Sequence, residues 1–375
     1  MPANSSNGDA IVAADLVKIY AGRGRNAEVR ALDGLSLTVP AGRVFGLLGP
    51  NGAGKSTTTK ILTTLSTPTA GTARVAGHDV LRDPDAVRAA IGYVSQGSST
   101  DPVLTARENL QIAGRIRGMN PADARERANR LLHEFGLFEA STRRVSTYSG
   151  GMRRRLDVAA ALVHRPRVLF LDEPTTGLDP EARAAMWSEI RRLSAEDALT
   201  VVLTTHYMEE ADRLADEILL VNSGRAVAQG TPEQLKAALH GDSVRVSLIE
   251  PDPTAVRAAV AGIPGLSDLV IEASGVDGIL AARTADATAA VGAVIGALDA
   301  AGIRFGQVSA SHPTLDDVYL HFVGHTFGDP STGSGTGNAS SGTGNASSGT
   351  GNASSGTGNA SSASGNAAST TGVAA

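Results

Sequence analysis

The stretch Arg43-Val44-Phe45-Gly46-Leu47-Leu48-Gly49-Pro50-Asn51-Gly52-Ala53-Gly54-Lys55-Ser56-Thr57 decides how this chain is read. Residues 43–48 form a short, mostly apolar run of the kind a buried strand needs. Thr57 to Leu65 follows with a helical pattern that Pro68 and Gly71 stop. Between them lies a complete G-x-x-x-x-G-K-[ST] loop. Its glycines let the backbone curl until several N–H groups point at one polyphosphate. Lys55 then reaches the β- and γ-phosphates, Ser56 offers its hydroxyl to Mg²⁺, and the helix start adds a positive dipole end. Four fixed positions match by accident in on the order of one chain in a hundred of this length. Gly49, Pro50, Asn51, Gly52, Ala53, Gly54, Lys55, Ser56 and Thr57 are therefore read as a nucleotide site, not as a glycine-rich turn.

Composition narrows the class. The chain has 375 residues, enough for two domains, and a net charge of −5 that argues against a broad nucleic-acid surface. It contains no cysteine, which removes disulfides, thiolate metal sites and a cysteine nucleophile. No uncharged apolar stretch approaches the roughly 18 residues that span a bilayer. Met1 to Asp9 is polar and lacks the basic and apolar regions of a signal peptide. The expectation is a soluble chain on the cytoplasmic side.

Three regimes follow one another. Residues 10–235 alternate apolar runs with helical patterns, as an α/β nucleotide-binding domain does. Residues 243–327 carry a smaller pattern in the order β-α-β-β-α-β, which predicts a split-βαβ (ferredoxin-like) α+β module with a short helix near Leu315 to Phe322 appended. Asp316 and Asp317 read as the acidic first turn of that helix rather than as a metal site. Residues 329–375 are low in complexity, with the heptapeptide Ser-Gly-Thr-Gly-Asn-Ala-Ser repeated four times between Ser334 and Ser361. Such a segment has too little apolar surface to offset its ordering entropy and is expected to be a disordered tail.

Two further motifs carry chemistry. Val168-Leu169-Phe170-Leu171-Asp172-Glu173 ends a buried strand in two carboxylates, and an open α/β sheet delivers them beside its ligand. Asp172 can hold Mg²⁺, and Glu173 can orient the attacking water or accept its proton. A bound cation offsets their mutual repulsion. Tyr148-Ser149-Gly150-Gly151-Met152 opens a helix with an N-cap serine and bare backbone, a second anion-binding helix end. One nucleotide has no use for both ends unless two domains face each other. Arg153 to Arg155, which follow, read as a solvated or interface face of that helix.

In order and spacing, these motifs resemble the ATPase domain of ABC transporters. The resemblance implies an α/β phosphate-loop ATPase with a helical subdomain. It implies adenine stacking on Tyr20, a Q-loop glutamine at Gln96 that senses Mg²⁺ and water, a D-loop containing Asp179, and a switch histidine at His206. Gln96, Glu173 and His206 would then be the catalytic set, with Ser56, Gln96 and Asp172 around Mg²⁺. Ser149, Gly150, Gly151 and Asp179 would meet the nucleotide across the interface of a homodimer. The form Tyr-Ser-Gly-Gly-Met-Arg-Arg-Arg, with Pro313-Thr314-Leu315-Asp316-Asp317-Val318-Tyr319-Leu320, resembles the daunorubicin-resistance type of drug exporter. That type implies an ATPase peripheral to the cytoplasmic face of the membrane, bound to a separately encoded integral membrane permease through the segment from Gln96 to about Gly118. An importer, or an exporter of lipid or polysaccharide, shares the same ATPase motifs. A soluble ATPase acting on ribosomes or DNA fits less well. The chain has one cassette, about ninety residues between phosphate loop and signature, and no zinc-binding cysteines.

Overall fold

A computed structural model describes residues 8–21, 28–239, 241–274 and 277–323. Long strands β1 (Asp9–Ala21) and β2 (Glu28–Pro40) precede β3 (Val44–Leu48), which runs into the glycine loop and α1 (Lys55–Leu62). The helix starts two residues earlier and ends three sooner than its pattern suggested. Gly54 is the residue before its first turn, and Thr64 already has φ 62°. β4 (Ala70–Val75), β5 (His78–Asp79), α2 (Pro84–Ala90) and β6 (Ile91–Val94) come next. A helical insert follows: α3 (Ala106–Ile116), α4 (Pro121–Glu134) and α5 (Gly150–Ala161). The chain then returns through β7 (Val168–Asp172), α6 (Pro180–Asp197), β8 (Thr200–Thr205) and α7 (Met208–Leu214). β9 (Glu217–Asn222), β10 (Arg225–Gly230) and α8 (Pro232–Ala237) close this part.

The helix starts are written locally. Thr105 and Thr231 each form a capping box with Glu108 and Gln234. Asn120 and Asp179 cap α4 and α6, each with proline at the first helical position.

Among the described residues, β10-β9-β3-β8-β7-β6 forms a sheet in which β3, β6, β7, β8 and β9 run parallel and β10 is an antiparallel edge. A second, antiparallel sheet, β2-β1-β4-β5, lies against one of its faces. The central strands are buried on both sides, as parallel strands are. In β7, Val168 and Phe170 enter the core shared with the antiparallel sheet, while Leu169 and Leu171 enter the core beneath the helical insert.

The remaining elements are β11 (Asp242–Ile249), α9 (Pro253–Val260), β12 (Leu266–Ser274), β13 (Asp277–Thr284), α10 (Ala287–Ala300), β14 (Phe305–Ser311) and α11 (Leu315–Val323). The strands pair antiparallel in the order β12-β13-β11-β14, and α9 and α10 bury Val256, Val260, Val294 and Leu298 against Val246, Leu248 and Leu280. Expected as an appendage of this module, α11 instead bridges to the parallel-sheet part. Leu315, Val318 and Tyr319 are buried with Leu48, Met208, Ala211, Ile218 and Leu235. Its amphipathic face finds the larger apolar surface there. Residues 329–375, read above as a tail, lie outside the described residues. No helix among the described residues is long and apolar enough to cross a membrane.

Asp317 anchors the bridge to β11. It accepts bonds from the Ser243 hydroxyl (2.9 Å), the Thr314 N–H (2.9 Å) and the Thr314 hydroxyl (2.8 Å), and pairs with Arg245 at 2.9 Å. Burial pushes its carboxyl pKa up, but the Thr314 N–H, the Arg245 charge and the two hydroxyls outweigh it, so the net shift is downward. A depressed folded pKa gives stability that is complete above the ordinary carboxyl value and is lost as pH falls through the folded one. Asp317→Ala should cost about 1–3 kcal/mol at pH 7, because it takes the acceptor from the buried Ser243 hydroxyl and the half-buried Arg245. Urea denaturation should show the gap between the two proteins closing below pH 3.8, the ordinary value for this group.

Candidate nucleotide site

The parallel strands deliver the expected residues to one edge. β3 and β8 pair Leu48 with Thr205, β7 and β8 pair Asp172 with Thr204, and β6 and β7 pair Val94 with Leu171. The residues just beyond these pairs are Gly49, His206, Glu173 and, two further on, Gln96. Gln96 Nε2 donates to Glu173 Oε2 at 2.9 Å, and His206 Nδ1 lies 3.0 Å from Glu173 Oε1. The Thr176 hydroxyl adds a third contact at 3.2 Å. One carboxylate therefore joins the three residues read above as the catalytic set. Glu173 has φ 46°, an uncommon value for a non-glycine residue, and its N–H donates to Thr204 O at 3.1 Å.

Asp172, on the opposite side of the strand end, accepts from the Thr204 hydroxyl at 2.5 Å. Burial, then the Asp172 charge and hydrogen bond, raise the pKa of the Tyr93 phenol, which therefore stays protonated as a donor to Asp172. Lys55 is 5% exposed, and its ammonium donates to Gly49 O and Pro50 O at 2.5 and 2.9 Å. Burial lowers its pKa, while the charges of Glu173 and Asp172 pull in the opposite direction.

The glycine loop is braced from outside. Gly224 N donates to Ala53 O at 2.8 Å, and Asp33 N donates to Gly224 O at 2.9 Å, so β2 and the β9–β10 turn support it. Gly54 has φ 111°, and a Cβ there would come within 2.8 Å of Ala31 O and 2.7 Å of Leu32 Cδ2. Ser56 is exposed at the helix start, with Asn51 and Gly52 exposed on the loop and Thr57 half-buried.

The residues read as a second anion site lie at the start of α5. The Ser149 side chain caps α5 by accepting from Met152 N at 3.2 Å, and Ser149 and Gly150 are exposed. A Cβ on Gly151 would reach 2.9 Å from Ala182 Cβ, so glycine lets α6 approach the start of α5. Asp179 spends one oxygen on capping α6, accepting from Ala182 N at 2.8 Å. Tyr148 is buried and donates its hydroxyl to Ala140 O at 2.7 Å, making it part of the helical insert's core. Tyr20 is the penultimate residue of β1 on the antiparallel sheet, 36% exposed, with Lys18 Nζ 4.9 Å from its ring centroid.

One reading of the sequence needs correcting. Arg153 is exposed, but Arg154 is buried, donating to the carbonyls of Ser95, Asp172 and Pro174, and Arg155 reaches Phe135 O. The signal was available. On a helix, Arg154 shares a face with Val158 one turn later, not with Arg153. Asp157, Tyr93, Thr204 and Glu210 were also missed. Glu210 is 1% exposed and accepts from the Thr175 hydroxyl and from Trp187 Nε1, at 2.8 and 3.2 Å. Nothing local in the sequence marks these residues, because their partners lie far along the chain.

A braced glycine loop at the carboxyl edge of a parallel sheet, with an acidic strand end beside it, defines a phosphate-loop nucleotide-binding protein. The ABC transporter family profile matches residues 32–176. Over 300 residues the chain is 46% identical to the daunorubicin resistance ATP-binding protein DrrA3 of Streptomyces coeruleorubidus, covering 80% of this chain and 93% of that one. It is 44% identical over 323 residues to the daunorubicin/doxorubicin resistance ATP-binding protein DrrA of Streptomyces peucetius, covering 86% and 95% respectively. A solved ATP-binding cassette, dimeric and in a post-hydrolysis state with ADP and Pi, matches with a TM-score of 0.54 at 27% identity, over 59% of this chain and 98% of its own. The chain belongs to the ABC transporter ATP-binding proteins, among the daunorubicin-resistance type, and is an ATP-hydrolysing subunit.

Gly54→Ala should lower ATP affinity at least tenfold and stability by about 1–3 kcal/mol, the scale of a strained backbone conformation. Calorimetric titration and thermal denaturation together check this. Unchanged affinity would mean that the loop does not need its observed curl.

Proposed function

We propose that this chain powers export of an antibiotic, drug or similar amphiphile through a separately encoded integral membrane permease, as a peripheral protein on the cytoplasmic face. The observation that carries the catalytic half of this reading is the Glu173 carboxylate shared between Gln96 and His206. The cargo half rests on the relatives, whose names tie them to daunorubicin and doxorubicin resistance.

In the proposed cycle, Lys55 leaves the carbonyls of Gly49 and Pro50 for the β- and γ-phosphates of ATP, while the loop's N–H groups bind the same oxygens. Tyr20 supports the adenine. Ser56, Asp172 and Gln96 would hold Mg²⁺, which would neutralise phosphate charge. The donors suit it, being hydroxyl, carboxylate and an amide oxygen. Gln96 commits its amide nitrogen to Glu173 and so keeps that oxygen free. Glu173 orients the attacking water and takes its proton, and His206 contacts the γ-phosphate. Ser149, Gly150 and Gly151 cap the nucleotide of a second copy, with Asp179 at the interface. The exposure of Ser149, Gly150 and Asp179 supports that reading.

Residues 10–235 are read as the ATPase domain and 243–327 as a ferredoxin-like accessory domain, which the strand order β12-β13-β11-β14 supports. A groove of about 620 Å³ beyond Gln96, lined in part by Leu65, Leu104, Ile112 and Ile116, is the surface proposed to receive the permease. Ile116 is 78% exposed and Leu65 61%, and apolar surface of that kind marks a contact site.

Glu173→Gln should bind ATP normally and lose roughly 10²–10⁴ in turnover, the usual worth of a general base. Lys55→Ala should instead lose ATP affinity. Near-normal hydrolysis by Glu173→Gln would remove that residue from the role of base.

A further inference from the structure

We propose that Arg154 and Asp157 are positioning residues for ATP hydrolysis, through which the helix behind Ser149 sets where Gln96 and Glu173 stand. The proposal rests on the reading of Gln96 and Glu173 as the groups that handle the attacking water. Arg154 is 8% exposed and uses three nitrogens on three carbonyls: Nη1 to Ser95 at 2.6 Å, Nη2 to Asp172 at 2.9 Å and Nε to Pro174 at 2.9 Å. Ser95 precedes Gln96, and Asp172 and Pro174 flank Glu173 on either side. A guanidinium is the side chain that can do this, because its donors form a fixed planar fork.

Asp157 lies one turn later on the same face and is 2% exposed. Its Oδ1 accepts from the Ser98 hydroxyl (3.0 Å), Ser99 N (3.1 Å), Thr100 N (3.2 Å) and the Thr100 hydroxyl (3.1 Å). The Gln96 loop is thus fixed on both sides, at Ser95 by Arg154 and at residues 98–100 by Asp157.

Glu173 is the residue that most needs such support. A non-glycine residue at φ 46° persists only where its surroundings over-determine it. Bonds from Arg154 to both of its chain neighbours do so. The same helix begins at Ser149, so any tilt of α5 moves the Gln96 and Glu173 backbones together.

The test uses the full-length chain, with ATP affinity, steady-state turnover and single-turnover rate measured separately. Arg154→Lys keeps the charge and loses the fork. It should bind ATP within about threefold of the parent and lose roughly 10²-fold in turnover and in single-turnover rate, the scale of a small misplacement of reacting groups. Asp157→Asn keeps the shape and weakens the bonds, and should lose about tenfold in turnover with affinity kept. Turnover within threefold of the parent in folded Arg154→Lys overturns the proposal. So does an equal loss of affinity and turnover, or failure of both variants to fold, since each marks a merely structural role. Glu173→Gln is run alongside. If it hydrolyses normally, the water-handling reading falls and takes this proposal with it. If it is inactive while Arg154→Lys is normal, this proposal falls alone.

Discussion

The nucleotide end of this molecule depends on one constraint, the parallel register of β3, β8, β7 and β6. Parallel strands end together, so four chain segments separated by up to 157 positions (Gly49 to His206) reach a single edge. Each strand is held by apolar packing on both faces, which leaves the polar work to the residues just past its end. A slip of one residue in β7 would exchange Asp172 and Glu173 between faces. The carboxylate that meets Gln96 and His206 would then be lost, although every motif would remain in the sequence. Register, more than any individual bond, is what makes the cluster.

The cluster is nonetheless built against local preferences. Glu173 occupies a left-handed conformation, Lys55 is buried with its ammonium turned onto its own loop, and Arg154 is buried among carbonyls. Each costs energy that a polyphosphate, or the neighbouring backbone, must offset. For Lys55 the proposed exchange would be favourable by charge, since two neutral carbonyls would give way to anionic phosphate oxygens. The start of α5 is different: Ser149 caps it through Met152 N, and Ser149 and Gly150 lie exposed.

Much of this was legible in the sequence because it is written locally. The glycine loop, the acidic strand end and the N-cap serine at 149 each depend on residues a few positions apart. The order β-α-β-β-α-β expected beyond residue 243 is also the order of the elements between residues 242 and 311. What was not legible involves partners distant in the chain. A run of three arginines reads as a solvated or interface face, yet the acceptors of Arg154 lie 59, 18 and 20 positions away. The destination of α11 escaped for the same reason, since its pattern specifies a buried face and not the surface that covers it.

In the proposed cycle, ATP completes half of a site and a second copy of the chain completes the other half. The direct measurement is the mass of the full-length protein in solution, by light scattering, without nucleotide and then with saturating ATP under conditions that block hydrolysis. The expected result is a monomer that doubles its mass with ATP, and a Ser149→Phe variant that binds ATP and stays monomeric. A chain that binds and hydrolyses ATP with no change in mass would contradict it.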